Sequence, residues 1–225
     1  MVRSPQLQKE WTLFDKQEYE RAFEQARSAL DRLEGSDLRD AYRLLGMACD
    51  HQKRHGEATF WFKRACQASD DAGDWLNLAV SATMQGDMEL SSQAIEQVRI
   101  CQQVARYVQG PGFYVHLYWY ACALSEKGEH QRLQDVLDEL AQAFMRLQRT
   151  DTAFLYARRL PFLSSVLALA SRHFRAQGKQ DEGLAWLQAL GQVLDEQGQR
   201  QVDEAKQELR QADGATPTAD MQDKH

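Results

Sequence analysis

The chain has 225 residues, of which 43% are hydrophobic and 27% are charged, so it can form a sizeable core and is not expected to be disordered as a whole. Ala (28), Leu (26) and Gln (26) far outnumber Val (10), Thr (7) and Ile (2), which excludes a β-rich fold because β-branched residues favour strands. The net charge is −6 with acidic and basic residues interspersed, so we expect no nucleic-acid partner.

The first elements in chain order are two short helices near the N-terminus. Their apolar residues recur every three or four positions, which is typical of one buried helix face. These residues are Leu7, Trp11 and Phe14 in the first helix and Tyr19, Ala22, Ala26 and Ala29 in the second. The spacing predicts a first helix pair over about the first 30 residues.

The clearest helix pair follows, between Asp40 and Ala68. An aromatic residue, a leucine and a small residue mark one face of its first helix, and small residues with a phenylalanine mark the second. They are Tyr42, Leu45, Gly46 and Cys49, then Ala58, Phe62 and Ala65. This arrangement resembles the tetratricopeptide repeat, a helix-turn-helix unit of about 34 residues. It departs from that family at Cys49, where the family usually has an aromatic residue, and at Asp70, where the family often has proline.

Three later segments resemble the same unit less closely. Each has an apolar first helix, a turn glycine and an apolar second helix. Their residues are Trp75, Leu78, Ala79, Ala82, Gly86, Ile95 and Val98; Leu117, Tyr120, Ala121, Leu124, Gly128, Leu133, Leu137 and Leu140; and Leu167, Ala170, Phe174, Gly178, Leu187 and Leu190. The turn glycines Gly86, Gly128 and Gly178 are 42 and 50 residues apart, so these repeats are longer than the family's unit.

The extra length falls in two segments, 88–112 and 149–162. The first ends at Gly110, Pro111 and Gly112, which cannot continue a helix. In the second, Thr150 or Asp151 is a candidate helix cap, and Pro161 is expected to kink a helix or begin the next one.

We therefore predict an all-α fold, an α-α superhelix of about five helix pairs over residues 1–198. A narrow apolar stripe predicts a capping helix over residues 199–212. Residues 213–225 lack periodicity and are expected to be a disordered tail.

The longest wholly apolar run, Leu117 to Leu124, has eight residues, whereas about 20 are needed to span a bilayer. The first residues show no apolar stretch of signal-peptide length. The four cysteines lie among Ala and Leu without close pairing, which is typical of buried thiols in a reducing compartment. We accordingly expect a cytoplasmic protein with no membrane span.

Candidate catalytic and metal-binding residues are few. His51 and His55 are four residues apart, a spacing that suits two metal ligands on one helix face, but they straddle an expected turn where polar residues are common. No zinc-protease, paired-cysteine, serine-hydrolase or phosphate-loop motif is present in the sequence. We predict that the protein is not an enzyme and has no cofactor or metal.

The resemblance implies a concave groove lined by the first helix of each repeat, where members of the family bind their partners. Carrying the repeat register along the chain assigns nine residues to a peptide-binding groove. They are Arg43, Met47, Leu76, Asn77, Met84, Tyr118, Trp119, Arg172 and Arg175. The groove is then apolar and aromatic at its centre with arginines at both ends. An alternative for Tyr118 and Trp119 is that they pack against the longer neighbouring helices.

One subfamily grips acidic C-terminal tails through a clamp of polar and basic side chains. Asn77 matches one clamp position, but Met47 replaces a second polar residue, and Val115 and Trp119 replace two basic ones. An apolar or mixed peptide is therefore the better prediction. We expect a scaffold, adaptor or chaperone-like protein that binds a partner protein segment; the alternative is a regulatory sensor whose groove binds a small molecule or short signalling peptide.

Overall fold

The computed structural model describes residues 3–104 and 112–211, and these residues form helices and connecting turns without a strand. The helices are α1 (Gln8–Asp15), α2 (Tyr19–Ala29), α3 (Gly35–His51), α4 (His55–Gln67), α5 (Ala72–Gln85), α6 (Met88–Val104), α7 (Phe113–Lys127), α8 (His130–Leu147), α9 (Thr152–Ala157), α10 (Leu163–Ala176), α11 (Gln180–Gly191) and α12 (Glu196–Gln211). The all-α prediction is confirmed. The tail predicted over 213–225 and the turn at Gly110 and Pro111 lie outside the described residues.

The chain divides into two compact units, an N-terminal unit of residues 1–132 and a C-terminal unit of residues 133–225. In the N-terminal unit each helix packs against the next one from α1 to α7, and α5 also packs against α3 and α7. In the C-terminal unit α10, α11 and α12 pack against one another. Among the described residues, no helix combines the length and the apolar character needed to span a bilayer.

The ends of α5 and α7 show local capping interactions. The Asp71 side chain accepts a hydrogen bond from the Gly73 backbone N–H and so caps the start of α5. Gly86 ends α5 with φ +94°, and Gly128 ends α7 with φ +71°, both in the left-handed region that glycine adopts without steric cost. The predicted turns at these glycines are confirmed.

The α3–α4 pair shows the close approach that the repeat pattern predicts. A Cβ atom on Gly46 would lie 2.6 Å from the nearest ring carbon of Phe62, and Ala58 is fully buried. Glycine at this position therefore lets the α3 backbone contact the phenylalanine ring of α4 directly.

The segment 149–162 contains the short helix α9 and two connections. Asp151 caps α9, because its side chain accepts a hydrogen bond from the Phe154 N–H at 2.9 Å. Pro161 lies in the connection, and α10 begins at Leu163. The helix predicted from residue 199 begins earlier, at Glu196, because Asp195 accepts a hydrogen bond from the Gly198 N–H and caps it. Its predicted apolar stripe, Val202, Ala205 and Leu209, is buried.

Candidate partner-binding surface

Arg43 lies in the interior of the N-terminal unit. Its side chain is 0% exposed and donates two hydrogen bonds to Asp74, from Nη2 to Oδ2 at 2.7 Å and from Nε to Oδ1 at 2.5 Å. Asp40 and Asp71 also lie within 3.5 Å of its guanidinium group. Arg43 is therefore the centre of a buried ion network between α3 and α5, and its guanidinium does not face an open groove.

The same network reaches the N-terminal residues through Asp40. Its Oδ2 atom accepts hydrogen bonds from the Ser4 backbone N–H and from the indole Nε1 of Trp11, each at 2.7 Å. Burial raises the pKa of Asp74, against the opposing effect of the Arg43 hydrogen bonds. The sequence signal for this network is an acidic residue three positions before Arg43 and two more at the start of the next repeat.

On α5 the predicted groove residues divide between the core and the surface. Leu76 is buried, whereas Asn77 and Met84 are half-buried, and Val80 between them is also half-buried. Residues 77, 80 and 84 recur at helical spacing and form one stripe along α5. The Nδ2 atom of Asn77 is enclosed without a hydrogen-bond partner. Met47, on α3, is half-buried as well.

On α7 the least buried side carries the two predicted aromatic residues. Tyr118 is half-buried, Trp119 is 46% exposed, and Cys122 continues the stripe one turn later. His116, one turn before Trp119, is buried, and its ring lies 6.1 Å from the Trp119 ring in an edge-on arrangement. Burial lowers the pKa of His116 to about 4, so this imidazole is neutral at physiological pH.

A buried chain of hydroxyl groups connects α5, α6 and α7. The Thr83 and Ser91 oxygens are 2.7 Å apart, and the Ser91 oxygen is 3.2 Å from the Tyr120 oxygen. These hydrogen bonds fix α7 against α5 and α6. Half-buried Asn77, Val80 and Met84 of α5, together with half-buried Tyr118 and Cys122 and exposed Trp119 of α7, are here called the α5–α7 face.

Arg172 and Arg175 belong to the C-terminal unit. Both are exposed on α10, and the Arg175 guanidinium donates a hydrogen bond to the Glu208 backbone oxygen of α12 at 3.3 Å.

The two histidines considered as metal ligands have separate surroundings. His51 stacks on Tyr19 with ring centroids 4.7 Å apart, whereas the Nδ1 atom of His55 lies 2.9 Å from Asp50 Oδ1. The same Asp50 oxygen accepts a hydrogen bond from Ser81, so the aspartate lies between the serine and the histidine, unlike the order that activates a nucleophile. Within residues 3–104 and 112–211 no group of three His, Cys, Asp or Glu side chains is arranged to hold a metal ion.

Three cysteine thiols, those of Cys49, Cys66 and Cys101, favour their protonated form. Burial raises the pKa of Cys49 to about 11, and it also raises the pKa of Cys66 and Cys101. Because the thiolate is the reactive species, these pKa shifts make the three thiols poor nucleophiles.

Three clefts lie elsewhere in the described residues, with volumes of about 230, 270 and 310 Å³. Ligand pockets for small molecules usually measure about 300–1,000 Å³, so these clefts are at or below the lower limit. None of these three is lined by a residue of the α5–α7 face. They give no support to a small-molecule site on that face.

The chain matches no protein-family model, and a search of curated proteins finds no significant match either.

Proposed function

We propose that this chain is a non-enzymatic, tetratricopeptide-like protein that binds a segment of a partner protein on the α5–α7 face. The proposal is supported by the order of packing in the N-terminal unit, where consecutive helices contact each other and the first helices of successive pairs, α3, α5 and α7, are neighbours. This is the order expected for stacked helix pairs, which commonly present an extended binding surface.

The observation that carries the proposal is the exposed indole of Trp119. An aromatic side chain that is 46% exposed leaves a large apolar area in water, beside half-buried Tyr118 on the same helix. Tryptophan and tyrosine are the residues on which binding energy concentrates in protein interfaces. A partner that covers Trp119 therefore gains apolar contact area without first unpacking the helix.

The remaining residues of the face indicate the chemistry of the ligand. Met84 is flexible and polarisable, so it adapts to apolar side chains of different shapes. Asn77 has an amide N–H without a hydrogen-bond partner, and such a group favours a ligand that supplies a hydrogen-bond acceptor. The six residues of the α5–α7 face are uncharged, so an apolar or mixed segment suits it better than an acidic one.

The experiment begins with a selection of random phage-displayed peptides on the immobilised full chain. The best peptide is then synthesised with a fluorescent label, and its affinity is measured by fluorescence polarisation. Trp119→Ala is expected to weaken binding about thirtyfold, because truncating a central aromatic anchor commonly costs about 2 kcal/mol.

Phe60→Ala is the matched control. Phe60 is 49% exposed, almost the same fraction as Trp119, but it lies on α4 and contacts Trp61 and Arg64. Both variants are first compared with the parent chain by circular dichroism. Equal losses of affinity in the two folded variants, or no loss in Trp119→Ala, contradict the proposal. Unfolding of Trp119→Ala alone shows instead that this indole belongs to the packed interior.

A further inference from the structure

The segment around α9, in the C-terminal unit, differs in charge from the rest of the chain. Between Arg146 and Arg159 there are four arginines and one aspartate, in a protein whose net charge is −6. All four arginines are exposed. The segment is therefore a local basic region on an otherwise acidic chain, where it attracts anionic groups.

Two of these arginines are held against one aromatic ring. The Arg149 guanidinium carbon lies 4.7 Å from the centroid of Phe154, and that of Arg158 lies 5.6 Å from the same centroid. Arg149 also pairs with Asp151 at 2.9 Å. Stacking on a ring restrains the guanidinium groups while their edges still present N–H donors to an anion.

Exposed aromatic residues lie next to these arginines in sequence. Tyr156 is 80% exposed and Phe162 is 49% exposed. Phe162 also lines a cleft of about 230 Å³ together with Thr152, Leu155 and Gln201. A cleft of this size accommodates one apolar or aromatic side chain, so the region combines cationic and apolar recognition.

The backbone of this segment is anchored from both sides. Asp195 accepts hydrogen bonds from the backbone N–H and the hydroxyl group of Thr150, and it also caps α12. Leu155 and Leu160 are buried beneath the segment. The exposed side chains are thus presented by a backbone that is already ordered, which lowers the entropy lost on binding.

We infer that Arg149, Phe154, Tyr156, Arg158 and Phe162, here called the α9 patch, bind an acidic protein segment that carries one apolar side chain. The arginines pair with the carboxylates, and the apolar side chain enters the cleft beside Phe162. A long polyanion such as a nucleic acid fits less well, because this basic region is short and the chain as a whole has a net charge of −6. The α9 patch belongs to the C-terminal unit, whereas the α5–α7 face belongs to the N-terminal unit.

The test uses the full chain and a short fluorescein-labelled peptide of glutamate and aspartate with a central leucine. Arg158→Glu is the main variant, because Arg158 is exposed and its guanidinium group lies over the Phe154 ring. It is expected to weaken binding at least about tenfold, a change of about 1.4 kcal/mol. Phe162→Ala, which leaves the charge unchanged, is expected to weaken the leucine-containing peptide but not a peptide with glycine in place of leucine.

Arg200→Glu is the matched control, since it makes the same charge change on an exposed arginine of α12. Equal effects of Arg158→Glu and Arg200→Glu show that only net charge matters, and they overturn the inference. Absence of measurable binding by the acidic peptide overturns it as well. Single-stranded oligothymidine and vesicles containing phosphatidylserine are measured in parallel. Tighter binding of either one, with the same loss in Arg158→Glu, assigns the patch to nucleic acid or membrane instead.

Discussion

The α3–α4 pair and the α10–α11 pair both bring a glycine against a phenylalanine, but on opposite helices. In the first pair Gly46 is on the leading helix and Phe62 is on the following one. In the second pair Phe174 leads and Gly183 follows, and a Cβ atom on Gly183 would lie 2.8 Å from Phe174. In both pairs the helices approach closely where one small and one large residue are in contact, and either helix supplies the small one.

The two units also differ in how deeply their hydrogen-bonded charged groups are buried. The N-terminal unit buries Arg43 between Asp40 and Asp74, so these three charged groups lie in its interior. In the C-terminal unit Asp195 is only half-buried and hydrogen-bonds with the Thr150 segment. Loss of a partner is therefore more costly in the first unit, because an isolated charge there has no access to water.

The largest expected effect comes from breaking the buried network. Arg43→Met leaves Asp74 and Asp40 without their cation and is expected to lower the free energy of unfolding by about 3–5 kcal/mol. The measurement is urea unfolding followed by circular dichroism. Adding Asp74→Leu to Arg43→Met is expected to recover part of the loss, since it removes one of the unpaired charges. A loss below about 1 kcal/mol in the single variant contradicts the role of this network.

The glycine positions come next. Gly46→Leu and Gly183→Leu each place new atoms against a buried phenylalanine and are expected to cost about 1–3 kcal/mol in urea unfolding. Phe62→Ala is expected to relieve the effect of Gly46→Leu but not that of Gly183→Leu. Relief by Phe174→Ala in the second pair is expected to be incomplete, because Gly183 also faces Leu209 of α12. If Phe62→Ala also relieves the effect of Gly183→Leu, or Phe174→Ala that of Gly46→Leu, the assigned contacts are wrong.

The smallest effect is expected at Asp195. Partial burial raises its pKa, but hydrogen bonds from Thr150 and Gly198 outweigh this and lower the pKa below its ordinary value. The carboxylate therefore stabilises the fold above the unfolded pKa near 3.8, and this contribution disappears as the pH falls through the folded pKa. Asp195→Asn is expected to cost about 1 kcal/mol at neutral pH, because the amide keeps one acceptor oxygen and its NH2 group cannot accept the second set of hydrogen bonds.

Urea unfolding of the parent chain and of Asp195→Asn between neutral and acidic pH checks this expectation. The difference between the two proteins narrows as the pH falls below about 4. A difference that stays constant over this range shows that the carboxylate charge is unimportant.

Much of the helical order could be predicted from the sequence because its signals are local. Apolar residues at helical spacing and the glycines at 86, 128 and 178 need only neighbouring residues to be interpreted. Gly46 was recognisable because it lies in the clearest repeat. Gly183 was not recognisable, because in its pair the large residue, Phe174, lies on the first helix and the small residue lies on the second. This is the reverse of the arrangement in the repeat pattern.

The positions of the predicted site residues depend on contacts between residues that are far apart in the sequence. Arg43 has the register of a surface residue, but its position is decided by Asp74, which lies 31 residues later in the chain. Leu76 likewise follows the groove register and is buried. The α9 patch was missed because a six-residue helix shows too little periodicity to be placed, whereas the local excess of arginine was visible in the sequence.

The hydroxyl chain of Thr83, Ser91 and Tyr120 constrains how this protein can change during evolution. Replacing one of the three by an apolar residue leaves a neighbouring hydroxyl in a dry interior with fewer hydrogen bonds, whereas replacing all three removes the need for them. Valine, alanine and phenylalanine would preserve most of the volume. In related sequences these three positions are expected to vary together as a polar set or an apolar set, with mixed combinations selected against.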